Sequence, residues 1–215
     1  RVFAGFSRLL ANRPNDGPNP QRLLWDKWPH HKKDRWLPAA SVQGEGIFLR
    51  LNENKLKEWE SKEDVMERAE IIQKNYDEVV AKYGWENRCV SPRLLMMHSL
   101  AHLLINQLVF ECGYGAASLR ERLYVSNEAN SPMAGIMIYT ASGDSEGSMG
   151  GLVRMGKPDN MTKVLRNAIS SARWCSADPV CGETTGQGPD SLNLAACHNC
   201  LLLPETSCEL FNRML

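Results

Sequence analysis

The sequence predicts an α+β domain in which a short mixed sheet and a buried central helix precede a cysteine-rich C-terminal module. Three observations carry that class. Ser91-Pro92 opens a stretch from Leu94 to Phe110 with no formal charge apart from His98 and His102, closed by Gly113. Two segments, Ser41–Leu51 and Ala134–Ala141, read as strands. Five of the seven cysteines, Cys175, Cys181, Cys197, Cys200 and Cys208, crowd the end of the chain.

Each element has its own signal. Residues 1–36 are irregular, and Asn12 to Pro20 is turn chemistry without an apolar period, which predicts a surface loop. In Ser41–Leu51, Gly44 and Gly46 mark a bend or a close backbone approach, with Glu45 held between them as a loop carboxylate. Asn54–Trp59 reads as a short helix. Ser61 with Asp64 offers a cap for a second one, whose apolar side is Val65, Ala69, Ile72, Tyr76, Val79 and Tyr83. A serine cap followed by proline in the first turn starts the central helix. Its two histidines, Asn106 and Gln107 make it a poor membrane span and a good core helix. Leu119–Tyr124 reads as a short helix or turn, and Ala134–Ala141 as a buried strand that feeds a glycine-rich loop, Ser142–Gly151. A last helix follows a cap at Asp159 or Asn160, with Val164, Leu165, Ala168, Ile169 and Ala172 on one face. The expected divisions are residues 1–90, 91–174 and 175–215.

The cysteines carry the clearest chemistry. Cys197-His198-Asn199-Cys200 is a C-x2-C pair, a spacing that lets two thiolates bind one ion from a single turn with backbone N–H groups facing the sulfurs. A closed structural zinc site needs four such ligands. Cys175, Cys181, Cys197, Cys200, Cys208 and His198 can supply them from this segment alone. The expectation is one structural zinc ion per chain, with the choice among the five cysteines open. An odd cysteine count with a metal-like cluster fits a reducing compartment, and hence the cytoplasm, better than a disulfide scaffold.

Other candidates are weaker. His98 and His102 lie four apart and so share one helical face. The residues between them, Ser99, Leu100 and Ala101, lack the glutamate base of an HExxH site, so a pair of core histidines bonded to carbonyls or carboxylates is the plainer reading. A metal-dependent nuclease or hydrolase built on His98 and His102, with Glu121, Asp144 or Glu146 around a second metal, is the enzyme alternative. The glycine-rich loop lacks both the Gly-Lys-Ser/Thr of a P-loop and the G-x-G-x-x-G spacing. Between Trp25 and Trp36, aromatic and basic residues alternate, with Lys32, Lys33, Arg35 and Trp36 as candidate nucleic-acid contacts. The bland alternative is a loop that tucks its tryptophans inward. Lys+Arg 25 against Asp+Glu 25 gives no net charge, so any contact with DNA has to be local or shared with a partner.

Taken in order, these segments resemble a known family. The carriers are Trp36-Leu37-Pro38-Ala39-Ala40 through Gly44-Glu45-Gly46-Ile47-Phe48, His98-x3-His102-Leu103-Leu104, Gly113-Tyr114 to Tyr124, and Tyr139-Thr140-Ala141-Ser142 to Gly150-Gly151-Leu152. Trp174-Cys175-Ser176-x-Asp178-Pro179-x-Cys181, Ala196-Cys197-His198-x-Cys200 and Glu205-Thr206-Ser207-Cys208-Glu209 complete them. Together they resemble the helicase-associated, MrfA-type zinc-binding family as it occurs in the bacterial DISARM anti-phage systems. The resemblance implies an accessory subunit without catalysis of its own, working on DNA beside a superfamily 2 helicase (DrmA-like) that hydrolyses the ATP. It matches Cys197, Cys200 and Cys208 best to zinc ligands, with Cys175 or Cys181 as the fourth. Where that family ends a strand in Tyr-Asp, this chain has Tyr139-Thr140, which removes an acid at position 140. A start at Arg1 rather than Met leads us to expect the C-terminal part of a longer protein. A purely structural interaction module that never touches DNA is the remaining alternative.

Overall fold

The computed structural model describes residues 2, 3, 5, 6, 22, 23, 30–41, 43–140 and 150–215. The chain divides into two units, residues 1–43 with 77–88, and residues 44–76 with 89–215. In the first, β1 (Gly5–Phe6) pairs antiparallel with β2 (Arg22–Leu23), and Val2 bridges Ala39. Lys32–Asp34 forms one 3-10 turn. The expected loop at Asn12–Pro20, together with Trp25 and Trp28, lies outside the described residues.

The second unit is built around α3 (Pro92–Cys112). Ser91 caps it, its Oγ accepting the Leu94 N–H at 3.2 Å, and Pro92 sits in the first turn, where its missing N–H costs nothing. Gly113, at φ 72°, ends it in the left-handed conformation that only glycine adopts freely. The α3 sequence is apolar nearly all round because elements pack on several sides of it. These are α1 (Glu53–Glu60), β4 (Leu119–Ser126), β5 (Met133–Thr140), α4 (Gly151–Met155) and α5 (Pro158–Ser171). Met97, Leu104, Ile105 and Leu108 are fully buried there with Leu119, Ile136, Leu152 and Val164. Among the described helices α3 alone is long and apolar enough to cross a membrane by length and composition. Its two buried histidines and this packing make it a core helix.

The three-stranded sheet runs β3–β5–β4, with β3 at Gly46–Arg50. Both pairings are antiparallel, Phe48 facing Met137 and Glu121 facing Ile138, where a mixed sheet was expected. Gly135 is needed at its crossing point, since a Cβ there would sit 2.8 Å from the Phe48 ring. The α+β class, the buried central helix and the cysteine-rich end stand as read from the sequence.

Two local expectations are corrected. Leu119–Tyr124 is strand, not helix or turn: Leu119, Glu121 and Leu123 point to one face of β4. The alternation was hidden because its middle member is a carboxylate whose partners come from α3. Ser61 does not cap the second helix, α2 (Glu63–Tyr83); it closes α1, its Oγ donating to the Glu58 carbonyl at 2.8 Å.

Arg93, in the first turn of α3, is 1% exposed. Its guanidinium donates to both Glu60 oxygens at 2.9 and 3.0 Å, to both Glu53 oxygens at 2.7 and 3.1 Å, and to the carbonyls of Ser126 and Met133. One planar cation thereby joins α1, α3 and the far ends of β4 and β5. The hydrogen bonds it donates to Glu60 and Glu53 push its pKa up against the opposing effect of burial.

Candidate metal centres

Among the described residues two clusters of ligand-type side chains form, one within the C-terminal module and one where Cys208 of that module meets α3 and β4. In the first, the sulfurs of Cys175, Cys181, Cys197 and Cys200 lie within 4.8 Å of one another. Sγ separations are 3.5 Å for Cys175–Cys197, 3.8 Å for Cys181–Cys200 and 3.8 Å for Cys197–Cys200. A tetrahedron of thiolates about 2.3 Å from zinc has edges of about 3.8 Å, so these positions fit the ion.

Short loops hold that geometry. Asp178 accepts from the Cys175 N–H at 2.9 Å and from the Gly182 N–H at 3.1 Å, which folds the Cys175–Cys181 segment into a turn. Backbone N–H groups point at the sulfurs, Ala177 to Cys175 and Asn199 to Cys197 at 3.4 Å each, and Cys197 to Cys200 at 3.2 Å. The Gln187 amide donates to Cys181 at 3.5 Å. The four thiols respond unequally. Burial opposes ionisation of Cys197, but the Asn199 N–H and the neighbouring thiols overcome it and lower its pKa. Burial raises Cys181, and it raises Cys200 to about 12 with the nearby sulfurs adding to the rise. A metal ion entering here displaces thiol protons.

Cys208 is not part of this set, which corrects the expectation that it joins Cys197 and Cys200 with only one of Cys175 and Cys181. The reason is how its turn is tied to Glu121: the Glu121 N–H donates to the Ser207 carbonyl at 3.1 Å, and the Glu121 carboxylate accepts the Glu209 N–H at 3.0 Å. These bonds tie the Cys208 turn to β4. His198 is exposed and joins neither cluster.

The second cluster is His98, His102, Glu121 and Cys208, again with ligand atoms within 4.8 Å of one another. All four residues are buried, the two histidines completely. His98 Nδ1 lies 3.1 Å from the Met214 carbonyl and His102 Nδ1 3.0 Å from the Leu201 carbonyl. Their Nε2 atoms face inward, His98 at 3.1 Å from Cys208 Sγ and 3.2 Å from Glu121 Oε1, His102 at 3.7 Å from the same oxygen. Burial raises the Glu121 carboxyl, and the His102 and His98 rings more than reverse this, holding it at about 2. Burial pushes the Cys208 thiol up to about 12, and the Glu121 charge adds to that. So the histidines do bond to loop carbonyls and lie against a carboxylate, as a core pair would, but they also converge with a thiol. Asp144 and Glu146 lie outside the described residues.

The remaining candidates are placed as follows. Glu45 accepts the N–H groups of Gly150 at 2.9 Å and Val153 at 3.0 Å and the Tyr114 hydroxyl, so it caps α4. Thr140 fastens the same segment, its Oγ1 accepting the Glu45 N–H at 3.1 Å. Lys32, Lys33 and Arg35 are exposed beside Trp36, which is itself 62% exposed rather than tucked inward. Cys89 is exposed and Cys112 half-buried, and neither stands in a cluster.

Comparison with known proteins places these features. Residues 100–201 match the MrfA zinc-binding domain family, a stretch that begins inside α3 and ends just past Cys200. The chain is also 37% identical over 216 residues to the DISARM protein DrmB of Bacillus paralicheniformis. The likeness to DrmB covers the whole chain. The chain spans 37% of that relative's length. With the family match and four sulfurs at zinc spacing, the C-terminal cysteine cluster is a structural zinc site. Sequence reasoning offered Glu121 as one of three acids that could stand beside the histidines, but missed Cys208 as a member of their cluster. The only signal for either was a ligand-type residue in an otherwise apolar face.

Proposed function

We propose that this chain is a zinc-stapled accessory part of a DISARM-like anti-phage defence complex, contacting DNA and docking a superfamily 2 helicase subunit. The observation that supports it is the similarity to DrmB from one end of the chain to the other. Cys175, Cys181, Cys197 and Cys200 hold the zinc, and the ion's role is to fold the module, worth on the order of 10 kcal/mol. The chain has no P-loop, so ATP hydrolysis belongs to the partner. We place the complex in the cytoplasm, where thiols stay reduced and phage DNA is met.

The DNA contact we assign is the exposed group Lys32, Lys33, Arg35 and Trp36, three cations for the backbone and one ring for stacking. The test is DNA affinity as a function of salt for the protein and for a variant with Lys32, Lys33 and Arg35 changed to Glu. If all three neutralise phosphates, the variant loses up to about 2.7 from the log–log salt slope, at about 0.9 per contact. An unchanged slope rejects the patch. A parallel pull-down of the helicase subunit by the same variant separates the two contacts: lost DNA binding with retained helicase binding is the expected pattern.

A further inference from the structure

The His98–His102–Glu121–Cys208 cluster is organised as a binding site distinct from the four-cysteine cluster, with His102 and Glu121 inside the family match and His98 and Cys208 outside it. Each Nδ1 faces a backbone carbonyl, of Met214 and Leu201, and a carbonyl only accepts, so each Nδ1 carries the proton. In the neutral ring, Nε2 then presents a bare lone pair, and both lone pairs point at the Glu121 carboxylate and the Cys208 sulfur. The carboxylate only accepts, and the single S–H of Cys208, 3.1 Å from His98 Nε2, can serve at most one of the two nitrogens. His102 Nε2 and Glu121 Oε2 are fully buried with no hydrogen-bond partner. Buried polar atoms go unmatched rarely, and two in one cluster mark a missing partner.

Protons complete the cluster poorly. Putting one on each Nε2 would set two imidazolium ions with ring centres 4.5 Å apart against one carboxylate, all buried. A divalent cation does better: its two charges balance one carboxylate and one thiolate, with both rings neutral. The spacing agrees. Tetrahedral zinc with ligands at about 2.0–2.3 Å has edges of about 3.3–3.8 Å; the separations are 3.1, 3.2 and 3.7 Å, two of them 0.1–0.2 Å short of that range, a shift small side-chain movements supply. The surroundings agree too. Metal-bound histidines characteristically donate their other N–H to a carbonyl, as both do here. The sulfur of Cys208 also receives the Asn212 N–H at 3.1 Å.

We propose that His98 Nε2, His102 Nε2, Glu121 and Cys208 Sγ form a second, closed zinc site. It joins α3, β4 and the Cys208 turn. With four protein ligands and no exposed face it leaves no position for water, so its role is architectural and not hydrolytic.

Elemental analysis of the purified protein tests this, with Cys208→Ala, His102→Leu and Cys197→Ser beside it. Expected are about two zinc ions per chain in the protein and about one in each variant, as closed sites of one ion each require. Since a variant can fail to fold, cobalt exchange of the unaltered protein supplies a second readout. With a fifth thiolate–cobalt bond the charge-transfer band is stronger than a lone four-thiolate centre gives, and the excess is lost in Cys208→Ala. One zinc per chain, unchanged by Cys208→Ala, with a cobalt spectrum of a pure four-thiolate site, overturns the proposal.

Discussion

Changing Arg93 to Met probes how the second unit is held together away from its metal ligands. Methionine keeps most of the volume and removes the charge and every N–H. Left behind are two carboxylates, Glu60 at 15% and Glu53 at 28% side-chain exposure, and the Ser126 and Met133 carbonyls stripped of a donor. Removing one member of a buried ion pair costs about 3–5 kcal/mol. Part of that is relieved here because Glu53 reaches water, so the expected loss is about 3 kcal/mol. At roughly 2–4 °C per kcal/mol for a unit of this size, the thermal midpoint falls by about 6–12 °C. Circular dichroism melting of zinc-replete protein measures it. Adding Glu53→Gln and Glu60→Met to the same variant removes the orphaned charges and should recover at least half the loss. A single variant within about 0.5 kcal/mol of the parent, the range of ordinary surface changes, refutes the reasoning. So does a triple variant less stable than the single.

Further expectations follow from other parts of the molecule. Cys197→Ser should release zinc from the cysteine cluster and open residues 175–200 to protease while α3, the sheet and the Cys208 turn keep their amide protection; a protected 175–200 segment without that ion would contradict the structural role. Leu104→Ala, at a fully buried position in α3, should cost about 2–5 kcal/mol in denaturant unfolding. For Glu45, burial raises the carboxyl pKa but the Tyr114 hydroxyl and the N–H groups of α4 outweigh it, leaving the value below the usual 4.5. A depressed carboxylate contributes stability above its unfolded value and loses it as pH falls through the folded one. Exchange at the Val153 amide should therefore speed up below about pH 4.5 beyond its intrinsic trend, and Glu45→Gln should abolish the difference.

What the sequence disclosed, it disclosed through local spacing. Ser91-Pro92 and Gly113 bracket α3 because cap and stop chemistry acts within one turn, and Cys197 and Cys200 announce a metal because both ligands sit on one turn. Cys175 and Cys181 could be named but not chosen over Cys208, since that choice depends on hydrogen bonds between the Cys208 turn and β4. Glu121 illustrates the other limit. Its charge interrupts an apolar alternation and disguises a strand, and the rings that justify its burial lie on a helix that neither strand spacing nor helical period connects to it. The Arg93 network is equally silent: one arginine and two glutamates on separate helices look like surface charge until the fold brings them together.

The ladder of distances along the chain also sets an order of assembly. The four sulfurs of the cysteine cluster fall within the span 175–200, whereas the bonds from His98 and His102 to Met214 and Leu201 close loops of 116 and 99 residues. Closing long loops is slow because chain entropy is lost before contacts repay it. The cysteine loops should thus be able to gather early and on their own, and the module should seat against α3 last. Refolding followed by a probe at the cysteine cluster and another on α3 would then show two separate times, the cysteine cluster first.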